Sequence, residues 1–283
     1  MDTINIFNVF ITIISFIINI FFIIPFIVKV FDYFLDKRFI KKVLNFSKEP
    51  VQIYPSTYAL QANLNKTYTF ISYEFLKSLN NISKILQSTD QKYNIVDVNL
   101  DTTSKDEINI GGFITNKKVN VYFSTHFKNF KFITDIKYKE EHDTYTIDKS
   151  MIEYDTKDFG FRMNNNKDCF LETNDRNDYA FLIKLVNSDF KEDYNRCVHI
   201  LFGGGSIGTI KAAEYLSTHY KQIYKKFRNN HYFFAIEVSR IDGSINHARG
   251  IIDLTDIMFD KDTNDDPTYV TPLDKGDQFP QRG

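Results

Sequence analysis

The segment at 197–216, CVHILFGGGSIGTIKAAEYL, decides the fold. CVHILF (197–202) is an apolar run of the kind found in buried strands, GGGSIGT (203–209) is a glycine-rich turn, and 210–227 has helical apolar spacing. A strand that passes through a glycine turn into a helix is the building unit of α/β proteins. The segment therefore predicts an α/β fold.

The chain on either side of this segment repeats the alternation of strand and helix. Strands are predicted at 51–56, 93–100, 178–186, 232–241 and 248–255, a helix at 67–87, and a strand, glycine turn and helix at 106–123. The region 130–172 suggests short antiparallel strands. Together they predict a Rossmann-like, largely parallel sheet domain, covered on both faces, with a small antiparallel insertion.

A long apolar segment precedes this domain. Residues 4–28 contain no charged side chain, and 25 helical residues are long enough to cross a bilayer. A signal peptide would have a shorter apolar core, positive charge before it and small residues at its end. Here Asp2 precedes the segment and bulky residues continue to its end. We therefore predict a single retained transmembrane helix.

The charges that flank the apolar segment predict its orientation. Five basic residues follow it closely: Lys29, Lys37, Arg38, Lys41 and Lys42. The positive-inside rule then places the main domain in the cytoplasm. The predicted division is a transmembrane helix at 1–31, a juxtamembrane amphipathic helix or linker at 32–50, the α/β domain at 51–259 and a polar tail at 260–283. Asn8 and Asn19 could hydrogen-bond between spans, which would favour a homo-oligomer.

Composition excludes several classes of function. The formal net charge is −1, so no basic excess argues for nucleic-acid binding. Two cysteines are too few for a disulfide framework, and no residue spacing predicts a metal site.

The glycine turn carries the clearest chemical signal. Gly203, Gly205 and Gly208 fit the pattern G-x-G-x-x-G between a strand and a helix. Glycines allow close backbone approach, and N–H groups at the start of a helix favour an anion such as a phosphate. Ser206 and Thr209 could add hydroxyl donors. The alternative is that these glycines only allow the helix to pack closely on the strand.

Two further residues qualify this interpretation. Glu237, near the end of the next predicted strand, stands where a ribose-binding acid is expected, although it lies farther from the motif than usual. Residues 204–208 also fit G-x-S-x-G, with Ser206 as a candidate nucleophile. Its acid would be Glu237 or Asp242 and its base His247.

A second glycine turn follows the strand predicted near residue 108. Gly111 and Gly112 end that strand, and Thr115 or Asn116 can cap the next helix. If the two strands are neighbours, both turns open on the edge where ligands of α/β sheets bind. The loop at 54–56 would be a third on that edge.

The two units IGG-x-x-x-N and DYAFLIK…HILFGGGSIGTIKAAEYL resemble Rossmann-like sensor domains of prokaryotic signalling and anti-phage defence proteins. The resemblance covers residues 51–255. It implies an inner-membrane location and a ligand site lined by Gly111, Gly112, Asn116, Gly203, Gly204, Gly205, Ser206, Gly208 and Thr209.

These observations favour a binding protein over an enzyme. The leading hypothesis is a membrane-anchored sensor of a nucleotide-derived, phosphate-bearing signal, acting as a defence effector through oligomerisation of its transmembrane helix and membrane perturbation. Its partners would be membrane lipid, the nucleotide-like molecule and further copies of the chain. The alternatives are a membrane-anchored scaffold that binds a protein, and a membrane-anchored hydrolase of a nucleotide or an ester.

Overall fold

The computed structural model describes residues 3–63, 66–96, 105–112, 115–126, 130–134, 159–163, 170–173, 176–186, 196–246 and 250–259. Its helices are α1 (Thr3–Leu44), α2 (Tyr73–Ser88), α3 (Lys117–His126), α4 (Ser206–Thr218), α5 (Tyr220–Phe227) and α6 (Thr255–Met258). Its strands are β1 (Val51–Tyr54), β2 (Thr57–Asn63), β3 (Lys66–Ile71), β4 (Tyr93–Ile95), β5 (Glu107–Ile110), β6 (Phe130–Thr134), β7 (Phe159–Met163), β8 (Phe170–Thr173), β9 (Asn177–Leu185), β10 (Val198–Gly203), β11 (Tyr232–Ser239) and β12 (Ile251–Asp253).

Seven strands form the central sheet in the order β12-β11-β9-β10-β5-β1-β4. β4, β1, β5 and β10 pair in parallel, whereas β9 pairs antiparallel with both β10 and β11. Five of the seven strands therefore run in one direction, and β9 and β12 run in the other. The prediction of an α/β fold with a mostly parallel sheet is confirmed. β6, β7 and β8 form a separate antiparallel sheet, and β2 and β3 form a hairpin.

The sheet is covered on both faces because its central strands are apolar on both sides. Every residue of β9 after Asn177 is buried, as are the first five residues of β10. One face packs against the end of α1 and against α2, α4 and α5. The other face packs against α3 and the α6 region.

The first helix is a single element that continues from the apolar segment into the domain. Its first part is long and apolar enough to cross a membrane, and its side chains there are exposed. The helix runs without interruption through the predicted linker to Leu44. Ile40, Val43 and Leu44 are apolar at helical spacing and lie in the same core as α2 and α4. The end of the apolar helix is therefore part of the domain.

Several predicted elements differ from the structure. The helix predicted at 210–227 is divided at His219 into α4 and α5. The region 67–87 was expected to be helical throughout, yet its first residues form β3, whose sequence KTYTFI is rich in β-branched and aromatic residues. The helix begins only at Tyr73, because the Ser72 side chain caps it by accepting a hydrogen bond from Phe75 N–H. The strand expected at 93–100 is formed at Tyr93–Ile95; residues 97–100 and the tail at 260–283 lie outside the described residues.

Candidate functional site

The loops after β1, β5 and β10 meet at one edge of the sheet, as the sequence predicts for neighbouring parallel strands. Gly111 N–H donates to the carbonyl of Leu201 on the adjacent strand. A Cβ on Gly112 would lie 4.0 Å from the carbonyl oxygen of Gly203. Ser56, from the loop after β1, lies directly against Gly111. This C-terminal edge of the sheet is the candidate site.

Two glycines of the turn are required by close packing of α4 on β10. A Cβ on Gly203 would lie 2.5 Å from the Cα of Gly208, and one on Gly208 would overlap the carbonyl oxygen of Tyr179. No side chain fits at either position without movement of the backbone. The packing interpretation of the motif is thus sufficient to explain Gly203 and Gly208.

The N–H groups that the motif offers to an anion are largely bonded to a carboxylate of the chain itself. Asp178, at the start of β9, accepts hydrogen bonds from Gly205 N–H at 3.1 Å and from Gly208 N–H at 2.9 Å. It also accepts one from Tyr179 N–H at 2.7 Å. The buried Asp178 carboxylate therefore supplies the negative charge that the start of a helix favours.

The electrostatic environment of Asp178 combines burial with nearby positive charge. Burial raises the pKa of the Asp178 carboxyl above its usual range, whereas the Gly208, Tyr179 and Gly205 N–H groups and the charge of Arg240 lower it. A guanidinium nitrogen of Arg240 would lie 3.5 Å from a Cβ on Gly205. Arg240 is thus the cation closest to this turn among the contacts that the structure describes.

Two backbone N–H groups at the start of α4 have no acceptor among the described residues. Ser206 is exposed and begins α4, and no described residue accepts a hydrogen bond from its backbone N–H or from that of Ile207. Gly204 N–H donates to Tyr179, and the Thr209 hydroxyl accepts from Gly203 N–H and donates to the Gly205 carbonyl. An anion at this turn would therefore meet Ser206, Ile207 N–H and Arg240.

The side chain of Ser206 faces an acid, not a base. Its hydroxyl donates to a carboxylate oxygen of Glu74 at 3.5 Å, and no histidine among the described residues hydrogen-bonds to it. Of the predicted triad partners, His247 lies outside the described residues and Asp242 bonds to Ser244 in its own turn. The geometry described here therefore offers Ser206 no activating base.

Asn116 ties two of the three loops together. Its amide nitrogen donates to the carbonyls of Tyr54 and Ile110, and its amide oxygen accepts from the N–H groups of Lys118 and Val119 at the start of α3. Both hydrogen bonds that the side-chain amide nitrogen of Asn116 donates are therefore made within the protein. The capping role predicted for this position is confirmed, and the side chain is committed to holding β1, β5 and α3 in register.

Glu237 lies apart from the turn. It is buried on β11, where it accepts hydrogen bonds from the Tyr179 hydroxyl at 3.5 Å and from the Asn246 side chain at 3.3 Å. Tyr179 belongs to the core on the α3 face, whereas α4 packs on the opposite face of the sheet. β9 also separates β11 from β10. Its predicted ribose-binding role stays a prediction.

Sequence reasoning missed Asp178 and a second buried polar group beneath α3. The Glu107 carboxylate accepts hydrogen bonds from Tyr122 at 2.8 Å and Asn109 at 3.3 Å, and lies 3.7 Å from the cationic nitrogens of Lys118 and Arg196. Burial raises the pKa of Glu107 despite these cations. The only sequence signal for the buried Glu107 group was the presence of polar residues at alternate positions of the otherwise apolar strand DEINI.

The end of α1 is joined to the domain by specific polar contacts as well as by the core. His199 Nε2 donates to the carbonyl of Leu44 at 3.0 Å, and the Tyr232 hydroxyl donates to His199 Nδ1 at 3.4 Å. Burial lowers the pKa of His199 to about 3, so the ring is neutral. Beside this joint, burial also lowers the pKa of Lys184.

Ion pairs continue the joint along α1. Lys37 pairs with Asp90 just beyond α2, and Asp36 pairs with Lys221 of α5, each at 2.5 Å. Asp90 follows the C-terminal end of α2, whereas the Ser206 contact lies at its N-terminal end. The contacts of α1 with the domain and the candidate site therefore lie at opposite ends of α2.

Comparison with protein-family models, with curated proteins and with solved structures found no match. Among the described residues, no group of three or more His, Cys, Asp or Glu side chains could hold a metal ion.

Proposed function

We propose that the protein is a membrane-anchored sensor whose cytoplasmic α/β domain binds a nucleotide-derived, phosphate-bearing molecule at the C-terminal edge of its sheet. Binding changes how α1 associates with further copies of the chain and so perturbs the membrane. In this proposal the domain uses its sheet edge as Rossmann-like proteins do.

The observation that carries the proposal is the path between the two ends of the domain. α2 and α4 both begin at the candidate edge, where Ser206 bonds to Glu74, and they pack against each other in one core. The same core contains the last turn of α1. A simple anchor needs only a flexible tether, whereas this helix shares a core with the two helices that begin at the site. A movement of the N-termini of α2 and α4 would therefore be transmitted through this core to α1.

The ligand class is proposed from the groups near the turn that do not bond to Asp178. The start of a helix favours negative charge, and α4 has no acidic residue in its first turn and no side-chain cap. The Ser206 hydroxyl and the Arg240 guanidinium stand beside it. Because the Asp178 carboxylate occupies the inner position, we place the phosphate on the outer side of the turn, against these groups.

The direct test measures nucleotide binding by the full chain in detergent micelles. Native mass spectrometry would detect a nucleotide that co-purifies, and equilibrium dialysis would measure binding of mononucleotides, cyclic nucleotides and dinucleotides. Ser206→Ala and Arg240→Gln should weaken binding, Ser206→Ala by about 1 kcal/mol as expected for one hydrogen bond. Lys84→Gln, on the exposed face of α2, is the matched control.

Gly205→Val tests the same turn by obstruction. A Cβ at this position would lie 3.2 Å from an Asp178 carboxylate oxygen, so a branched side chain crowds the turn. We expect loss of nucleotide binding, and unchanged affinity would refute the proposed site.

Cross-linking of the full chain in membranes tests the coupling between nucleotide binding and association of α1. If the chain stays monomeric while its site is saturated, α1 is only an anchor.

One observation favours the scaffold alternative. Four apolar side chains, each at least half exposed, lie where β3 leads into α2: Phe70, Ile71, Tyr73 and Leu76. An exposed apolar patch marks binding surfaces for proteins. If no nucleotide binds and Leu76→Ser abolishes capture of a partner protein, the scaffold function is favoured. The hydrolase alternative would require labelling by a serine-reactive probe that Ser206→Ala removes.

A further inference from the structure

The apolar surface of α1 extends beyond the uncharged segment. Lys29 is the first charged residue after it, yet Phe31, Tyr33 and Phe34 remain 62%, 52% and 61% exposed. The domain begins to cover the helix only at Asp36 and Lys37, through their ion pairs. Three exposed aromatic side chains therefore occupy the short interval between the uncharged segment and the domain.

The length of this interval sets the distance of the domain from the bilayer. Asp36 lies eight residues after Val28, which is about 12 Å of helix. The headgroup layer on each side of a bilayer is about 5–8 Å thick, and aromatic residues concentrate at that level. With Phe31, Tyr33 and Phe34 near headgroup depth, Asp36 lies about one helical turn from the surface of the lipid. The domain then has no stalk that would hold it away from the membrane.

The part of the domain closest to the lipid is rich in lysine and arginine. α5 runs beside α1 in the same direction, because Asp36 meets Lys221 and Phe39 meets Tyr224. Side chains of an α-helix tilt toward its N-terminus, which for both helices is the membrane side. Four basic residues at this level form what we call the basic collar: Arg38, Lys41, Lys221 and Lys225, all exposed.

Among the described residues, the acidic groups nearby only partly offset the basic collar. Asp36 is paired with Lys221, and Asp90 is paired with Lys37, which is not part of the collar, although the charge of Lys41 also acts on Asp90. Asp32 is exposed within the aromatic interval, three residues from Lys29. Arg38, Lys41 and Lys225 therefore leave a positive surface that faces the bilayer, and its complement is an anionic headgroup.

We infer that the domain rests on the membrane surface, with the basic collar bound to anionic lipid headgroups. This inference depends on the proposed insertion of α1, but not on the nucleotide site. It gives the protein a second membrane contact besides the span. It also fixes the candidate site on the far side of the domain, open to the cytoplasm.

The test uses the full chain in nanodiscs of phosphatidylcholine alone or mixed with phosphatidylglycerol. Spin labels are attached to Phe34→Cys, Thr218→Cys and Ile241→Cys, each in a Cys169→Ser background. Thr218 is exposed next to the start of α5, and Ile241, 79% exposed, follows the C-terminal end of β11 at the far edge. A water-soluble nickel chelate reports the accessibility of each label.

We expect the Phe34 label to be shielded in both membranes, the Thr218 label to be shielded when phosphatidylglycerol is present, and the Ile241 label to stay accessible. In Lys41→Gln/Lys225→Gln the ratio of docked to undocked domains should fall about fivefold for each charge removed. The matched control, Lys77→Gln/Lys117→Gln, removes two exposed lysines elsewhere and should leave this ratio unchanged.

Two results would overturn the inference in distinguishable ways. If alkaline extraction leaves α1 in the membrane but the Thr218 label is as accessible as the Ile241 label in both lipid mixtures, the docked arrangement is wrong and the sensor proposal stands. If alkaline extraction releases the chain, α1 does not span the membrane, and both proposals fail.

Discussion

Removal of the Asp178 carboxylate is the most informative perturbation of the turn. In Asp178→Ala, the N–H groups of Gly205, Gly208 and Tyr179 lose their common acceptor. Gly205 is half-buried, so water can replace its bond, whereas Gly208 and Tyr179 are buried. Two buried N–H groups, those of Gly208 and Tyr179, would therefore each lose a hydrogen bond to a charged acceptor.

The expected magnitude follows from these two donors. A hydrogen bond to a charged group contributes about 1.5–3 kcal/mol, so the loss of two costs about 3–6 kcal/mol. The substitution also removes a buried charge, whose burial raises the pKa of Asp178 and opposes folding. We expect a net loss of about 3 kcal/mol, a large part of the 5–15 kcal/mol typical of a domain.

The measurement is urea unfolding of the full chain in micelles, followed by near-ultraviolet circular dichroism, together with amide hydrogen exchange of the turn. Asp242→Ala is the matched control, because the exposed Asp242 carboxylate also accepts a backbone N–H, from Ser244. Water can replace that bond, so unfolding should hardly change. If Asp178→Ala changes stability no more than Asp242→Ala, the carboxylate does not organise the turn.

Three further predictions concern the joint and the packing of the edge. His199→Gln should flatten the pH dependence of unfolding: because burial lowers the pKa of His199 to about 3, the wild-type chain should lose about 1 kcal/mol of stability for each pH unit as the pH falls from 6.5 to about 3, and equal acid sensitivity in both proteins would contradict this. Gly203→Ala should destabilise the domain strongly in thermal unfolding, whereas Gly112→Ala, with 4.0 Å of room, should be tolerated; equal melting temperatures would show that α4 does not need the close approach. Asn116→Ala should lower the free energy of unfolding, measured in urea, by about 1–2 kcal/mol or more, because α3 loses its cap; a decrease below about 0.5 kcal/mol would show that Asn116 does not hold β1, β5 and α3 together.

The sequence predicted the strand, turn and helix at 197–216 because local patterns determine them. Apolar runs, glycines and helical spacing all act within a few residues, so β10, the turn and α4 follow directly. The same reasoning located the loops at Gly111 and Gly203 on one edge, because parallel neighbours end together.

Asp178 could not be predicted from the same patterns. It lies 27 residues before Gly205, and only the antiparallel pairing of β9 beside β10 brings the two together. In sequence it is one of 36 acidic residues, placed before an apolar run that reads as an ordinary strand. Amphipathic spacing predicted a helix within 32–50, but it could not predict that the end of this helix packs into the domain, because burial of Ile40 and Leu44 depends on the distant helix α5 and on His199.

The buried end of α1 has a consequence for the synthesis of the protein. The ribosome makes α1 before α5, yet α5 packs in the same core as the last turn of α1. Ile40, Val43 and Leu44 therefore stay without this cover until the chain has grown through residue 227. These apolar side chains must be kept from other contacts during that time, so the domain can complete its folding only after α5 has been made.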